Sequence, residues 1–381
     1  MEVYFDNSST TKPSNEVIDE VALGMKEFYG NPSSLHNLGF KSEKKLKECR
    51  EILSKTINAN ENEIYFNSGG SEGNNSILKG ILKSGTHLIT TPFEHASILN
   101  TIKKLEDNKV KVTFLKINEE GKIDLEHLRN SITKETTLIS IIHVNNEIGV
   151  IQDLKTIGEI IKESSSRAKF HVDAVQSYGK IPIDVKKMNI DFLTVSGHKF
   201  HGPKGVGFIY VRKPNNLTPL IEGGAQEFGI RAGTQNIAGI MGMSLASKIA
   251  NDRINENYKK VFQIKKKITG KLEDIENIRI NSLLNEDYSP YILNVSFRGI
   301  RGEVLLHFLE ESGIYVSTGS ACSSKEREKL GGSYVLKALG LSQDEMAGGI
   351  RFSFSDDNKE EEVDYVIDNL NKGLTFLRRR K

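Results

Sequence analysis

The chain has 381 residues, with 52 Lys and Arg against 50 Asp and Glu, and a formal net charge of +2. That balance gives no electrostatic case for nucleic acid or a membrane surface as the main partner, and no apolar run reaches the roughly 18 residues of a membrane span. Two cysteines, Cys49 and Cys322, make neither a disulfide framework nor a multi-thiolate metal site alone; with no signal-peptide pattern at the N-terminus, the expectation is a two-domain cytoplasmic protein without a metal.

Residues 41–55 read as a helix that puts Leu46, Cys49, Ile52 and Leu53 on one face, so Cys49 is expected to be a buried structural thiol. Strands are expected at 63–67, 87–91, 110–117, 137–145, 169–174, 191–196 and 205–211. Amphipathic stretches separate several of them, as at 153–163, where Leu154, Ile157, Ile160 and Ile161 share a face. This alternation predicts an α/β domain with a mainly parallel sheet, antiparallel edge strands being allowed. In such sheets ligands sit outside the carboxyl ends of the strands.

Three of those ends carry chemistry. In "FNSGGSEGNNSILKGIL" (66–82) a strand enters Gly69 and Gly70, and Ser71 opens a helical pattern. Backbone N–H groups at such a junction suit a phosphate, although many strand–helix turns look alike. In "FHVDAVQSYGK" (170–180) Asp173 ends an apolar strand, where a carboxylate needs a partner. A helix N-cap, a salt bridge or a pyridinium nitrogen would each serve. In "SGHKFHGPKGVG" (196–207) Lys199 sits in a turn of small, rigid residues, either solvated or poised as a Schiff-base nucleophile.

Near Asn251 the pattern changes. A charged helical stretch at 252–272 leads to short strands at 279–281, 292–297, 313–317 and 350–354, separated by helices at 303–311 and 333–339. A smaller α+β domain is expected, made of residues 1–14 and 252–381 against a large domain at 15–251. A last helix is expected to start with Asn358 as cap and Glu361 behind it, acidic at its start and ending in the basic run 378–381, which complements the helix dipole. In "STGSACSSKEREKLGG" (317–332) Cys322 has small and charged neighbours that are poor core material and suit a carrier arm.

The order phosphate turn, acidic residue, lysine is more specific than any member. With "VYFDNSSTT" (3–11), "GNPSSLHNLG" (30–39), "EHASIL" (94–99), "HVNNEIGVIQ" (143–152), "GGAQEFGIRAGTQN" (223–236), "STGSACSS" (317–324) and "GIRFS" (349–353), it resembles the cysteine desulfurases. These belong to the class V aminotransferase group of pyridoxal-phosphate (PLP) enzymes of fold type I. The likeness runs over nearly the whole chain and is closest to the type with a longer cysteine loop. Two departures stand out. The phosphate turn reads Ser68-Gly69-Gly70-Ser71 where the family often has Ser-Gly-Ala-Thr, and "FSFSDDN" (352–358) lacks a glycine often found there.

The resemblance implies that Lys199 carries PLP, Asp173 keeps its ring nitrogen protonated, His95 stacks on the ring and Gln176 lies near its phenolic oxygen. Gly70, Ser71, Ser196 and His198 would hold the phosphate, with Thr234 reaching in from the second subunit of a homodimer. Asn146 and Arg351 would bind the carboxylate of L-cysteine, a task that suits the arginine fork. Cys322, as thiolate, would take the substrate sulfur as a persulfide, with His95 moving a proton near the substrate thiol. Alanine would leave, and the sulfur would pass to an iron–sulfur scaffold or a tRNA-thiolation protein. The other readings are a PLP aminotransferase, which has no use for Cys322, a selenocysteine lyase, and a sulfur carrier without enzymatic activity.

Overall fold

The computed structural model describes residues 1–319 and 332–379. The chain opens with a two-residue strand, β1 (Val3–Tyr4), and two helices, α1 (Asn15–Glu27) and α2 (Asn37–Thr56). There follow β2 (Ile64–Asn67), α3 (Gly70–Ile81), β3 (His87–Thr90), α4 (Ala96–Asp107), β4 (Lys111–Phe114) and α5 (Leu125–Ser131). Next come β5 (Thr136–Ile142), α6 (Leu154–Ser164), β6 (Lys169–Asp173), β7 (Phe192–Ser196) and β8 (Gly207–Val211). The seven strands β2 to β8 form one sheet in the order β2-β8-β7-β6-β5-β3-β4.

The sheet is mainly parallel, as the alternation predicts. Its antiparallel member is not at an edge: β8 runs against both β2 and β7. The reason is local. The turn carrying Lys199 is too short for a crossover helix, so β8 must return beside β7 as a hairpin. The strand expected at 110–117 shortens to β4, which lies at the sheet edge with its residues partly or fully exposed. Beyond it the chain turns back on itself, Asn118 N–H donating to the Lys122 carbonyl at 3.0 Å.

Amphipathic helices such as α6 cover the sheet with one apolar stripe. In α6, Leu154, Ile157, Ile160 and Ile161 are buried as predicted, and Asp153 caps the helix by accepting from Thr156 N–H. In α2, Leu46, Cys49 and Leu53 face inward with α1 and the next helix, α7 (Ile237–Asp252). Each such aliphatic side chain contributes about 1.5–3 kcal/mol. Cys49 is buried, and burial pushes its thiol up to about 11, as an inert structural cysteine requires.

The expected charged helix is α8 (Ile254–Leu272), followed by β9 (Ile278–Ile280), β10 (Ile292–Phe297), α9 (Gly302–Glu310) and β11 (Ile314–Tyr315). After the undescribed segment come helices Tyr334–Ala338 and Gln343–Ala347, then β12 (Gly349–Ser353) and helix Glu360–Arg378. β10 lies between β9 and β12, antiparallel to both, and β11 pairs in parallel with β1. A separate apolar cluster joins Val3 and Phe5 to β10, β12, α8 and the last helix. The last helix starts one residue later than expected. Lys359 is its cap, with its N–H donating to Glu362, because Asn358 is already committed to the preceding turn, accepting from Ser355 N–H at 2.9 Å. Among the described residues no helix is long and apolar enough to cross a membrane.

Candidate active site

The sheet's carboxyl ends and the N-terminal segment enclose one cavity, lined by Ser8, Ser9, Gly70, Ser71, Asn74, His95, Asn146, Asp173, Val175, Gln176, Ser196, His198, Lys199 and Arg351, among others. Most of the residues nominated by sequence therefore meet in one place. Thr234 does not: it lines a separate cleft with Asn67, Gly205 and Arg231. Cys322 lies outside the described residues.

Asp173 ends β6 and is buried. Its Oδ2 accepts from Asn74 Nδ2 at 2.7 Å and its Oδ1 from Val175 N–H at 3.0 Å. Asn74 Nδ2 also donates to Ser97 Oγ, which contacts His95 Nδ1 at 2.9 Å, so a polar chain runs from Asp173 to His95. His95 caps α4 through Nδ1, which accepts from Ser97 N–H at 3.2 Å. That bond fixes the tautomer: in the neutral ring the proton is on Nε2. Burial holds the ring below its usual pKa, with Lys199 acting the same way and the charge of Asp173 opposing.

Lys199 lies just past β7. Its Nζ donates to the carbonyls of Ser8 and Ser9, at 2.5 and 2.8 Å. The neighbouring His198 holds Thr10 Oγ1 at 3.1 Å, and its carbonyl accepts from Thr11 N–H. Burial, and then the charge of Lys199, push His198 down to about 4.

Arg351 on β12 is the residue that the second sheet contributes. Its Nη1 donates to the Asn146 carbonyl at 2.9 Å, and its Nη2 to Asp6 Oδ1 and Ser9 Oγ at 2.8 and 2.7 Å. The segment 6–9 thus contacts both Lys199 and Arg351. No local pattern in the sequence assigns a role to Asp6, Ser8 or Ser9, and none was assigned to Asn74. For Asn74 a signal existed: it falls three residues after Ser71, on the same side of the first turns of α3.

Five side chains around the cavity carry buried polar atoms with no partner among the described residues: Ser8 Oγ, Asn74 Oδ1, Asn146 Oδ1, Gln176 Oε1 and Arg351 Nε. Unpaired buried groups cost about 1–3 kcal/mol each, so their concentration in one cavity marks the seat of a polar ligand. Beside it lies a cleft formed by Ser68, Gly69, Gly70, Ser71, Ser196 and His198. The first-turn N–H groups of α3, which have no partner within the helix, open there. A Cβ on Gly70 would come 2.7 Å from Val175 Cγ2, so glycine fits where relatives often carry alanine. The residue set fits PLP: a lysine for its aldehyde, a buried carboxylate for its ring nitrogen, a helix N-terminus for its phosphate.

The aminotransferase class-V family model matches residues 3–366. A cysteine desulfurase IscS of Clostridium botulinum is 44% identical over 379 residues, covering 97% of this chain and 94% of its own. Among solved structures, a NifS-like protein superposes with a TM-score of 0.92 at 38% identity, covering 99% of this chain and 100% of its own. Another, described as SspA in complex with cysteine, gives 0.81 at 34% identity, over 93% of this chain and 99% of that one.

Proposed function

The chain belongs to the aminotransferase class-V family, among its cysteine desulfurases, and from that premise we propose that it removes sulfur from L-cysteine, leaving L-alanine, and loads it on Cys322. The observation that carries the reading is the single cavity joining Lys199, Asp173, His95 and Arg351, with unpaired polar atoms on its walls.

PLP, when bound, supplies an electron sink for the carbon skeleton of the amino acid. Lys199 would hold it covalently, Asp173 would accept from the ring nitrogen, Gln176 would lie at the phenolic oxygen and His95 at the ring. Gly70, Ser71, Ser196 and His198 would take the phosphate, with Thr234 of a second copy completing the site in a homodimer. Arg351 and Asn146 would orient the substrate carboxylate; Arg351 Nε and Asn146 Oδ1 have no other partner among the described residues. Once free, the Lys199 amine takes the Cα proton at Nζ, its charge stabilised by the Ser8 and Ser9 carbonyls that it already meets.

His95 presents Nε2–H, so in its neutral form it donates a hydrogen bond to a substrate sulfur gaining charge. The Cys322 thiolate then attacks that sulfur. The new S–S bond forms as the substrate Cβ–S bond breaks, and the electron pair stays with the carbon skeleton, which takes up one proton at Cβ and regains at Cα the proton that Lys199 removed, leaving as L-alanine. No external oxidant is needed. The persulfide is passed to an acceptor protein, either an iron–sulfur scaffold or a tRNA-thiolation enzyme.

The test is to incubate the purified holoenzyme with L-cysteine and no keto acid. Alanine should appear, and peptide mass analysis should find one added sulfur on Cys322. Amino transfer that depends on a keto acid would overturn the reading, and a much faster reaction with selenocysteine would redirect it to a selenocysteine lyase.

A further inference from the structure

Glu147 is a buried carboxylate that the mechanism above leaves unused. It stands on the turn after β5, and that turn is rigid. Asn145 Oδ1 accepts from both Glu147 N–H and Ile148 N–H, while Asn145 Nδ2 donates to the Phe93 carbonyl at 3.0 Å. Gly149, with φ of +77°, closes the turn onto the Asn145 carbonyl. The backbone that carries the Glu147 side chain is thus fixed.

Among the described residues, its Oε2 lies against both flanks of the segment 320–331. On the near side is Gly319, with φ of +111°, where an added Cβ would come 2.7 Å from Glu147 Oε2. On the far side Ser333 Oγ donates to the same Oε2. The near end is tied again at Ser317, which exchanges backbone hydrogen bonds with Arg351 and donates from Oγ to the Gly319 carbonyl at 2.6 Å. The far end is tied by its own helix, for Ser333 Oγ also accepts from Val335 and Leu336 N–H. The Glu147 charge is also felt at His95. One carboxylate oxygen therefore accepts from the far flank at Ser333 and packs close to the near flank at Gly319.

We propose that Glu147 is a positioning residue that pins both ends of this segment, at Gly319 and Ser333, beside the active site and so sets the rate at which Cys322 takes sulfur. The inference rests on the reading of Cys322 as the sulfur acceptor. It requires an oxygen acceptor at this reach, not a negative charge: a glutamine can accept from the Ser333 hydroxyl, whereas an alanine cannot. Losing the anchor misplaces the attacking sulfur, and a misplacement of about 1 Å can cost about a hundredfold in rate.

The test separates two events in the PLP-loaded enzyme: the spectral change when L-cysteine reaches the cofactor, and the appearance of persulfide on Cys322 in a single turnover, read by peptide mass. Glu147→Ala should slow persulfide formation about tenfold or more while leaving the rate of the spectral change within about twofold. Glu147→Gln should load Cys322 within about threefold of the parent. Ser333→Asp keeps the helix cap but sets a second carboxylate against Glu147, so it should share the alanine variant's defect. Adding Glu147→Gln to Ser333→Asp should restore loading, the amide donating to the new carboxylate. Persulfide formation at the parent rate in Glu147→Ala would overturn the proposal, as would an equal slowing of both events. A parent enzyme that turns over cysteine without persulfide on Cys322 would instead remove the reading beneath it.

Discussion

Asp173 and Lys199 stand on the ends of adjacent strands, and the backbone around them is locked into the sheet: the Asp173 carbonyl accepts from His143 N–H, and Gly197 N–H donates to the Val206 carbonyl. Arg351 is held differently. Its backbone also lies in a ladder, opposite Asn294 of β10, but it reaches the cavity from the smaller sheet, and its guanidinium is held by Asp6, Ser9 and Asn146, hundreds of residues away in the chain. A floor built on a hydrogen-bonded ladder fixes a planar ring and a proton donor to within a fraction of an ångström, which electron-sink chemistry demands. The wall, assembled from separate segments, is the part proposed to meet the substrate carboxylate. Disruption of the floor should therefore appear in turnover, and disruption of the wall in substrate affinity.

The floor gives the largest effect. If Lys199 is the covalent holder and the proton acceptor, as proposed, then in Lys199→Ala alanine formation should fall by about 10³-fold or more, and the purified protein should lose its visible chromophore. If the variant kept its colour and turnover, the assignment of Lys199 would fail. Arg351→Gln tests the wall. If Arg351 donates to the substrate carboxylate, as proposed, the loss is about 1.5–3 kcal/mol and should raise KM for L-cysteine about 10–100-fold with a smaller change in kcat. A fall in kcat at constant KM would place Arg351 with the floor and erase the distinction.

The same division explains what the sequence made legible. Lys199, Asp173 and the Gly69–Ser71 turn stand out because each puts an unusual residue type at the end of an apolar strand, and strands announce themselves by local pattern. Asp6, Ser8, Ser9 and Glu147 do not, because their work depends on contacts across long stretches of chain that no local period encodes. β1 is only two residues long, too short for any alternation to reveal it. α7 is hard to see for the opposite reason. Small and apolar residues such as Ala238, Gly239, Met241 and Met243 are buried nearly all the way round it, so it has no polar face against which a stripe could be read. β8 was legible as a strand but not in its place, since the number of residues after Lys199 decides between hairpin and crossover only once the pairing partner is known.

Glu94 gives the smallest expected effect and probes the boundary between the two halves. It is buried beside His95; its Oε1 accepts from Thr91 Oγ1 and from Ile142 N–H on the floor, while its carbonyl accepts from Tyr334 in the wall. Its Oε2 has no partner among the described residues. Burial pushes the carboxyl up to about 8, despite the hydrogen bonds from Thr91 and Ile142. The folded value thus lies above the ordinary carboxyl value of about 4.3. Between the two, the folded chain keeps a proton that the unfolded chain has released, so the stability that Glu94 contributes is full below about pH 4.3 and is lost as the pH rises towards 8. Glu94→Gln keeps an acceptor for Thr91 and Ile142 and cannot ionise. On raising the pH from 5 to 8, the melting temperature of the parent should therefore fall relative to the variant by about 2–4 °C. Parallel pH profiles for the two proteins would mean that Glu94 is already ionised in the folded state, with a partner for Oε2, and that the boundary between floor and wall is polar rather than dry.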